Sequence, residues 1–318
     1  METPVEILGA CPAILGLRDR IDRLLAGRQP LRRLPPVLMR GETGTGKSLL
    51  ARFLHALSPR RPGPFVDVNC AAIPGTLLEA EMFGYERGAF TDARQAKPGL
   101  FQVAHRGAIF LDEVALLPEA LQGKLLKVIE EQSVRRLGST RSEPVDVWVL
   151  AATSSSDPTA GLREDLFHRL AVVALWLPPL RERGDDVRLL AEHFLARACA
   201  EYGLPPRSLT AAAAAALAGH RWSGNIRELA NVMERAALLS PGHELTPEML
   251  GLPPAAVPAP RARPAPGTES EPLLATLRAT GWNVSRAARQ LGLSRNMLRY
   301  RMRKHDLARA GPPSAAED

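Results

Sequence analysis

The chain is poor in cysteine and histidine and has no long apolar run. Its 318 residues include 3 cysteines, Cys11, Cys70 and Cys199. They lie far apart without metal-ligand spacing, so they read as reduced thiols rather than as disulfides or a metal site. The 7 histidines are scattered, and no zinc is expected. No apolar stretch approaches the roughly 20 residues that span a bilayer, which excludes a helical membrane protein. Met1 to Gly9 carry Glu2 and Glu6 and no basic residue, unlike a secretory signal. A cytoplasmic location with no membrane partner is expected.

Hydrophobic content of 45% and charged content of 24% are those of an ordinary globular protein, and the length suits two or three compact units. The net charge is +7. Arg261 to Arg309 hold 11 Arg and Lys against 3 Asp and Glu, a local surplus of 8 that accounts for the whole excess. A basic block of this kind is the electrostatic footprint of nucleic-acid binding.

Val37 to Met39, Phe65 to Val68, Ala108 to Leu111 and Val145 to Ala152 read as strands. Ser48 to Leu57 and Leu121 to Glu131 read as helices; Leu121, Leu125, Leu126 and Ile129 share a face. The alternation implies an α/β unit over residues 1–178, with a mostly parallel sheet covered on both sides. Residues 179–252 change character. Val187, Leu190, Ala191, Phe194 and Leu195 have helical spacing, as do Ile226, Leu229, Val232, Met233 and Ala236, so this part is expected to be all-helical. The alanines at 211–216 need only their helix propensity as a reason. Pro253 to Thr268 hold 6 prolines, so 253–269 read as an extended linker. A last small all-α unit spans 270–310, and 311–318 read as a disordered tail.

Gly41-Glu42-Thr43-Gly44-Thr45-Gly46-Lys47-Ser48 fits GxxxxGK[ST] and lies between a predicted strand and a predicted helix. The glycines let backbone N–H groups turn onto phosphate oxygens, and the helix N-terminus adds partial positive charge. Lys47 is expected to reach the β- and γ-phosphates and Ser48 to ligate Mg²⁺. Further on, an apolar strand from Gly107 ends in Asp112 and Glu113. Asp112 is the expected Mg²⁺ partner, and Glu113 is placed to orient or deprotonate the attacking water. Positive charge on the transferring phosphoryl group could come from Arg163, Arg169 or Arg227, although each could also be a surface ion-pair residue. Six residues on a helix is about 240° of rotation, so spacing does not separate the roles of Arg163 and Arg169.

With these motifs in view, the stretch from about Ile7 to Leu250 resembles the AAA+ domain of the sigma-54-dependent activators, the bacterial enhancer-binding proteins. Phe65-Val-Asp-Val-Asn-Cys70, Glu79-Ala-Glu-Met-Phe-Gly84, Gly88-Ala-Phe-Thr-Asp-Ala93, Arg163-Glu-Asp-Leu-Phe-His-Arg-Leu170 and Leu177-Pro-Pro-Leu-Arg-Glu-Arg183 stand in that family's order. The resemblance implies a three-layer α/β/α phosphate-loop ATPase with a helical lid. It also implies assembly into a hexameric ring, with ATP held between subunits. In it, Asn69 matches the residue that restrains the catalytic glutamate, and Thr153 a nucleotide-sensing position. Arg163 and Arg169 match the arginines offered to the neighbouring subunit, and Arg227 the lid arginine that senses nucleotide. Adenine follows from the resemblance, and an Asn-Lys-x-Asp guanine motif is missing.

The residues Gly88, Ala89, Phe90, Thr91, Asp92 and Ala93 match the family's sigma-54-contacting loop, with Asp92 where the family usually carries glycine. Ser154 and Ser223 stand where asparagine and proline are usual. Three readings stay open: a remodeller of sigma-54 RNA polymerase, a DNA-binding regulator that does not activate sigma-54, and a remodeller of another client. No receiver or ligand-sensing domain is legible before Ile7. Control is therefore expected from a trans-acting regulator or from expression level, unless the chain is a fragment.

In the basic C-terminal unit, Glu271 to Ala279, Asn283 to Leu291 and Ser294 to Lys304 read as three helices, with Gly292 in the turn between the last two. Ala287, Ala288, Leu291, Leu293 and Leu298 are expected inside. Ser294 is a good N-cap, and Arg295, Asn296, Arg299, Tyr300 and Arg303 are free to reach DNA. The unit resembles the Fis-type helix-turn-helix of the same family. That implies a dimer on inverted repeats, with half-sites about 34 Å apart.

Overall fold

The computed structural model describes residues 6–25, 34–155, 157, 159–252, 270–290, 298 and 302. The chain divides into two compact units, residues 1–255 and 256–318.

In the first unit, helix α1 (Pro12–Leu25) precedes strand β1 (Val37–Arg40), and the phosphate-binding loop leads into α2 (Lys47–Leu57). Strand β2 (Phe65–Asn69) is followed by α3 (Gly75–Phe83), the short strands β3 (Gly84–Tyr85) and β4 (Lys97–Pro98), and α4 (Leu100–Val103). Next come β5 (Ala108–Asp112), α5 (Glu119–Glu131), the antiparallel pair β6 (Ser133–Arg135) and β7 (Ser142–Pro144), β8 (Trp148–Thr153), α6 (Glu164–Leu170) and β9 (Val173–Trp176). The lid follows: α7 (Asp186–Glu201), β10 (Ser208–Leu209), α8 (Ala211–Gly219), α9 (Asn225–Leu239) and β11 (Glu244–Leu245).

Five strands form one parallel sheet in the order β2-β5-β8-β1-β9. Successive side chains of a strand point to opposite faces, and the burial pattern follows that alternation. Val37, Met39, Ala108, Phe110, Trp148, Leu150 and Ala152 pack with α1 and α2 on one face. Leu38, Ile109, Leu111, Val149 and Ala151 pack with α3, α4, α5 and α6 on the other. The result is three layers, α/β/α, as the sequence predicts.

Two expectations need correction, and two elements are new. The strand expected from Val145 begins at Trp148, because Val145 donates its N–H to Gln132 O at 2.8 Å and so continues the β6–β7 pairing instead of the central sheet. The fifth strand, Val173–Trp176, and helix α1 are additions to the sequence reading. The lid is not wholly helical: Ser208–Leu209 and Glu244–Leu245 pair in parallel, and Thr210 caps α8 by accepting from Ala213 N–H. Otherwise the lid core is the expected one, with Val187, Leu190, Ala191, Leu195, Leu229, Val232, Met233 and Ala236 buried around Trp222.

The second unit contains α10 (Ser270–Ala279) and α11 (Val284–Gln290). Leu273, Leu277, Ala287, Ala288 and Leu298 form its core. The linker, Leu291, Leu293 and all of Ser294, Arg295, Asn296, Arg299, Tyr300 and Arg303 lie outside the described residues.

Candidate functional site

A parallel sheet gathers the C-terminal ends of its strands along one edge, where ligands of such folds bind. The register here pairs Asn69 with Asp112, and Arg40 with Thr153. Asn69, Asp112, Glu113 and Thr153, distant in sequence, thus end neighbouring strands beside the loop that leaves β1.

That loop depends on glycine. Gly44 has φ 81°, and a Cβ there would meet Gly224 O at 2.3 Å; Gly41 at φ 155° would meet Leu177 O at 2.6 Å. Thr45 is buried and its Oγ1 donates to Glu42 O at 2.8 Å. Lys47, 5% exposed, donates through Nζ to Gly41 O at 2.8 Å and Glu42 O at 3.1 Å. It therefore sits inside the loop's own carbonyls. Burial pushes its pKa down, opposed by the charges of Glu113 and Asp112, while Arg227 adds to the lowering. Burial, then Glu113, pushes the Asp112 carboxyl up. Ser48 is half-buried in the first turn of α2.

Glu113 adopts the left-handed conformation, φ 53°, directly after β5. Its Oε2 accepts from Ser154 N–H at 3.1 Å and Ser154 Oγ at 2.9 Å. Asn69, expected to restrain Glu113, instead accepts at Oδ1 from Ala71 N–H at 2.9 Å within its own turn. Thr153 is buried, and its Oγ1 accepts from Ser155 N–H. So the side chain that holds Glu113 here is Ser154, whereas Asn69 was the residue expected to do so. Cys70 lies nearby with its thiol pushed up to about 12 by burial and by Asp112, which leaves it unreactive.

Among the described residues no group of three or more His, Cys, Asp or Glu could hold a metal ion alone. Ser48 and Asp112 are hard oxygen donors, and that limited set suits Mg²⁺ completed by substrate phosphates and water.

The arginines separate by place. Arg227 is exposed in the first turn of α9, and its charge registers at Lys47. Arg163 stands at the N-cap of α6, exposed and paired with Asp165 at 3.1 and 2.7 Å. Arg169 is half-buried in the last turn of the same helix. Among the described residues neither Arg163 nor Arg169 bonds to the loop or to Asp112 and Glu113 of its own chain.

Beside the loop lies a cavity of about 520 Å³, which the sequence reading missed. Ile7, Leu8, Leu49, Leu190, Phe194 and Ile226 supply much of its wall, with Arg183, His193 and Arg197 adding charge or polarity. Its lining comes from four separate parts of the chain, so no local motif announces it. The lid is tied on by Asp186, whose Oδ1 accepts from Ala10 and Cys11 N–H at 2.6 and 3.1 Å.

The Gly88–Ala93 loop projects from the α3–α4 insertion. Gly88 N–H donates to Ala93 O and Ala93 N–H to Phe90 O, closing the tip. Phe90, 42% exposed, stacks edge-on against Tyr85 at 4.8 Å, and Thr91 and Asp92 face solvent. Asp92 is absent from the residues with positive φ. Its backbone therefore needs no glycine.

Residues 11–176 match the sigma-54 interaction domain family, 181–264 a AAA+ ATPase lid domain, and 267–305 the bacterial regulatory protein Fis family. The chain belongs to the sigma-54-interacting AAA+ regulators. It carries a AAA+ ATPase domain with its lid and a Fis-type C-terminal unit. The response regulator protein PilR of Pseudomonas aeruginosa is 41% identical over 330 residues, covering 95% of this chain and 71% of that protein. ZraR of Salmonella typhi is 43% identical over 271 residues, covering 82% and 62%. DctD of Rhizobium meliloti, a C4-dicarboxylate transport transcriptional regulator, is 42% identical and covers 86% and 60%. The chain thus spans roughly two thirds of these regulators. The crystal structure of NtrX from Brucella abortus in complex with ATP superposes with a TM-score of 0.69 at 33% identity, over 95% of this chain and 70% of that one. RuvB of Thermotoga maritima, at 16% identity and a TM-score of 0.52, shares the fold. Among the described residues no helix is long and apolar enough to cross a membrane.

Proposed function

We propose that the chain binds ATP with Mg²⁺ at the ends of β1, β5 and β8 and turns hydrolysis into movement of the Gly88–Ala93 loop against sigma-54 RNA polymerase. The observation that carries this is the convergence of Lys47, Asp112 and Glu113 beside the glycine loop. Lys47 and the α2 N-terminus take the β- and γ-phosphates. The adenine enters the cavity against Phe194 and Ile226, whose size is ordinary for a small-ligand pocket. Ser48 and Asp112 hold Mg²⁺, which supplies charge neutralisation on the phosphates. Glu113 takes a proton from the water attacking the γ-phosphorus, the bond to the β–γ bridging oxygen breaks, and ADP and phosphate remain. Positive charge in the transition state comes from Arg163 and Arg169 of a neighbouring subunit in a hexameric ring. Arg227 reads the nucleotide from the lid, Thr153 senses its state, and Asn69 restrains Glu113 until that state changes.

The exposed Phe90 and Thr91 are the surface offered to sigma-54. The ordinary backbone of Asp92 removes the conformational objection to that role, so the charge alone distinguishes this loop. The Fis-type unit dimerises on inverted repeats, with Ser294, Arg295, Asn296, Arg299, Tyr300 and Arg303 reaching DNA. Such a DNA-bound regulator works in the cytoplasm. ATP-dependent open-complex formation at a sigma-54 promoter tests the reading, with wild type and Asp92→Gly compared. Open complexes with both support it. Failure of both, with ATP hydrolysis intact, overturns it.

A further inference from the structure

Three consecutive residues of the phosphate-binding loop are held from the lid. Arg181, just before α7, donates through two nitrogens to the two carboxylate oxygens of Glu42 at 2.8 and 2.5 Å. Asn225, at the start of α9, donates through Nδ2 to Glu42 Oε2 at 3.2 Å and to Thr43 O at 3.0 Å. Gly44 O accepts from Ile226 N–H at 2.9 Å and Arg227 N–H at 3.3 Å. Asn225 is fully buried, and its Oδ1 accepts from Leu180 N–H at 2.8 Å, which joins the two lid segments that grip the loop. Asn225 also holds φ 55°, a left-handed conformation tolerated by asparagine better than by most residues. Arg181 keeps the Glu42 carboxyl at about 2, so the contact is ionic at any ordinary pH.

Glu42 belongs to the loop motif, yet its side chain turns to the lid. An exposed ion pair contributes little to stability. Arg181 and Glu42 are 42% and 37% exposed, so holding the fold together is a poor account of the pair. Its position supplies a better one, because the lid also walls the cavity beside the loop through Leu190, Phe194 and Ile226.

We propose that Arg181 and Asn225 are positioning residues for nucleotide binding: they bridge the lid to Glu42 and Thr43 and keep loop and cavity in one receptive arrangement. The inference rests on the nucleotide reading of this site and deepens it. A ligand whose receptive state falls to a tenth of the population binds tenfold more weakly. By linkage, nucleotide reciprocally biases the lid.

The test is a double-mutant cycle on the full chain, with Arg181→Ala, Glu42→Ala and the double variant. ADP affinity is read by titration calorimetry, melting temperature alongside, and turnover at saturating ATP as a third measurement. Each single variant weakens ADP about tenfold, and the double variant does so by the same tenfold rather than a hundredfold, since both changes break one bridge. Melting temperature stays within about 3 °C of wild type, and turnover at saturating ATP falls less than ADP affinity does. Arg181→Gln, which keeps the aliphatic stem, matches Arg181→Ala. Unchanged ADP affinity in the single variants, a hundredfold additive loss, or a Gln variant that binds like wild type overturns the bridge. A wild-type chain that binds no ADP overturns the nucleotide site itself, a result distinct from variants that match a binding-competent wild type.

Discussion

Glu113→Gln separates base catalysis from binding more cleanly than any other single change at this site. A glutamine amide oxygen can still accept from Ser154 N–H and Oγ, which now reach Glu113 Oε2 at 3.1 and 2.9 Å. The two contacts change from charge-assisted to neutral hydrogen bonds, a loss of about 1 kcal/mol each. Such a loss is small beside a domain stability of about 5–15 kcal/mol, so the variant folds. Glutamine also keeps the side-chain length at φ 53°, where the strain is already present. What disappears is the ability to take a proton. A general base contributes about 10²–10⁴-fold, equivalent to about 2.7–5.4 kcal/mol in the barrier. Removing a negative charge beside Asp112 lowers repulsion toward the phosphates, so ATP binds as tightly or more tightly. Equilibrium ATP binding and single-turnover hydrolysis on the same sample give both quantities. Turnover within tenfold of wild type with binding intact refutes the assignment of Glu113 as base. Loss of ATP binding refutes the claim that its charge opposes the phosphates.

Two further variants probe the surroundings. Gly44→Ala places a Cβ 2.3 Å from Gly224 O at φ 81°, so it strains the backbone and pushes loop from lid. A fall of several degrees in melting temperature and at least tenfold weaker ADP binding are expected, the left-handed backbone alone costing about 1–2 kcal/mol; a wild-type melt by calorimetry contradicts this. Ser154→Ala removes one of the two donors to Glu113, and with it about 1.5 kcal/mol or more of orientation. Turnover then drops about tenfold while KM for ATP stays within about twofold, and Ser154→Thr retains activity; steady-state kinetics with an unchanged kcat would remove Ser154 from the mechanism.

The local motifs were the most legible part of the sequence. A glycine pattern before a helix, and an apolar strand ending in two acids, are short-range arrangements whose chemistry follows from neighbours in the chain. The same holds for the alternating apolar runs that built β1, β2 and β5 and for the helical spacing of α5, α7 and α9. Where local signals are weak, the fold departs from the local pattern. Val145 is apolar and precedes a strand, but its N–H is claimed by Gln132 O, a partner that only the folded β6–β7 pair supplies. The four-residue β9 followed a short helix closely and had too few residues to show a pattern.

The sequence by itself determined that the chain carries a phosphate loop, two acids at a strand end, a helical lid and a basic helical unit at its end. Each is encoded by residues near one another in the chain, where backbone geometry and side-chain period are nearly independent of distant contacts. Tertiary structure decided which side chain meets which. It set Ser154 rather than Asn69 against Glu113 and gave Asp92 an ordinary backbone. It turned Glu42 from the phosphate cradle to Arg181 and closed a cavity from four separate segments. Those outcomes depend on sheet order and on where the lid comes to rest, and both are set by burial summed over the whole domain.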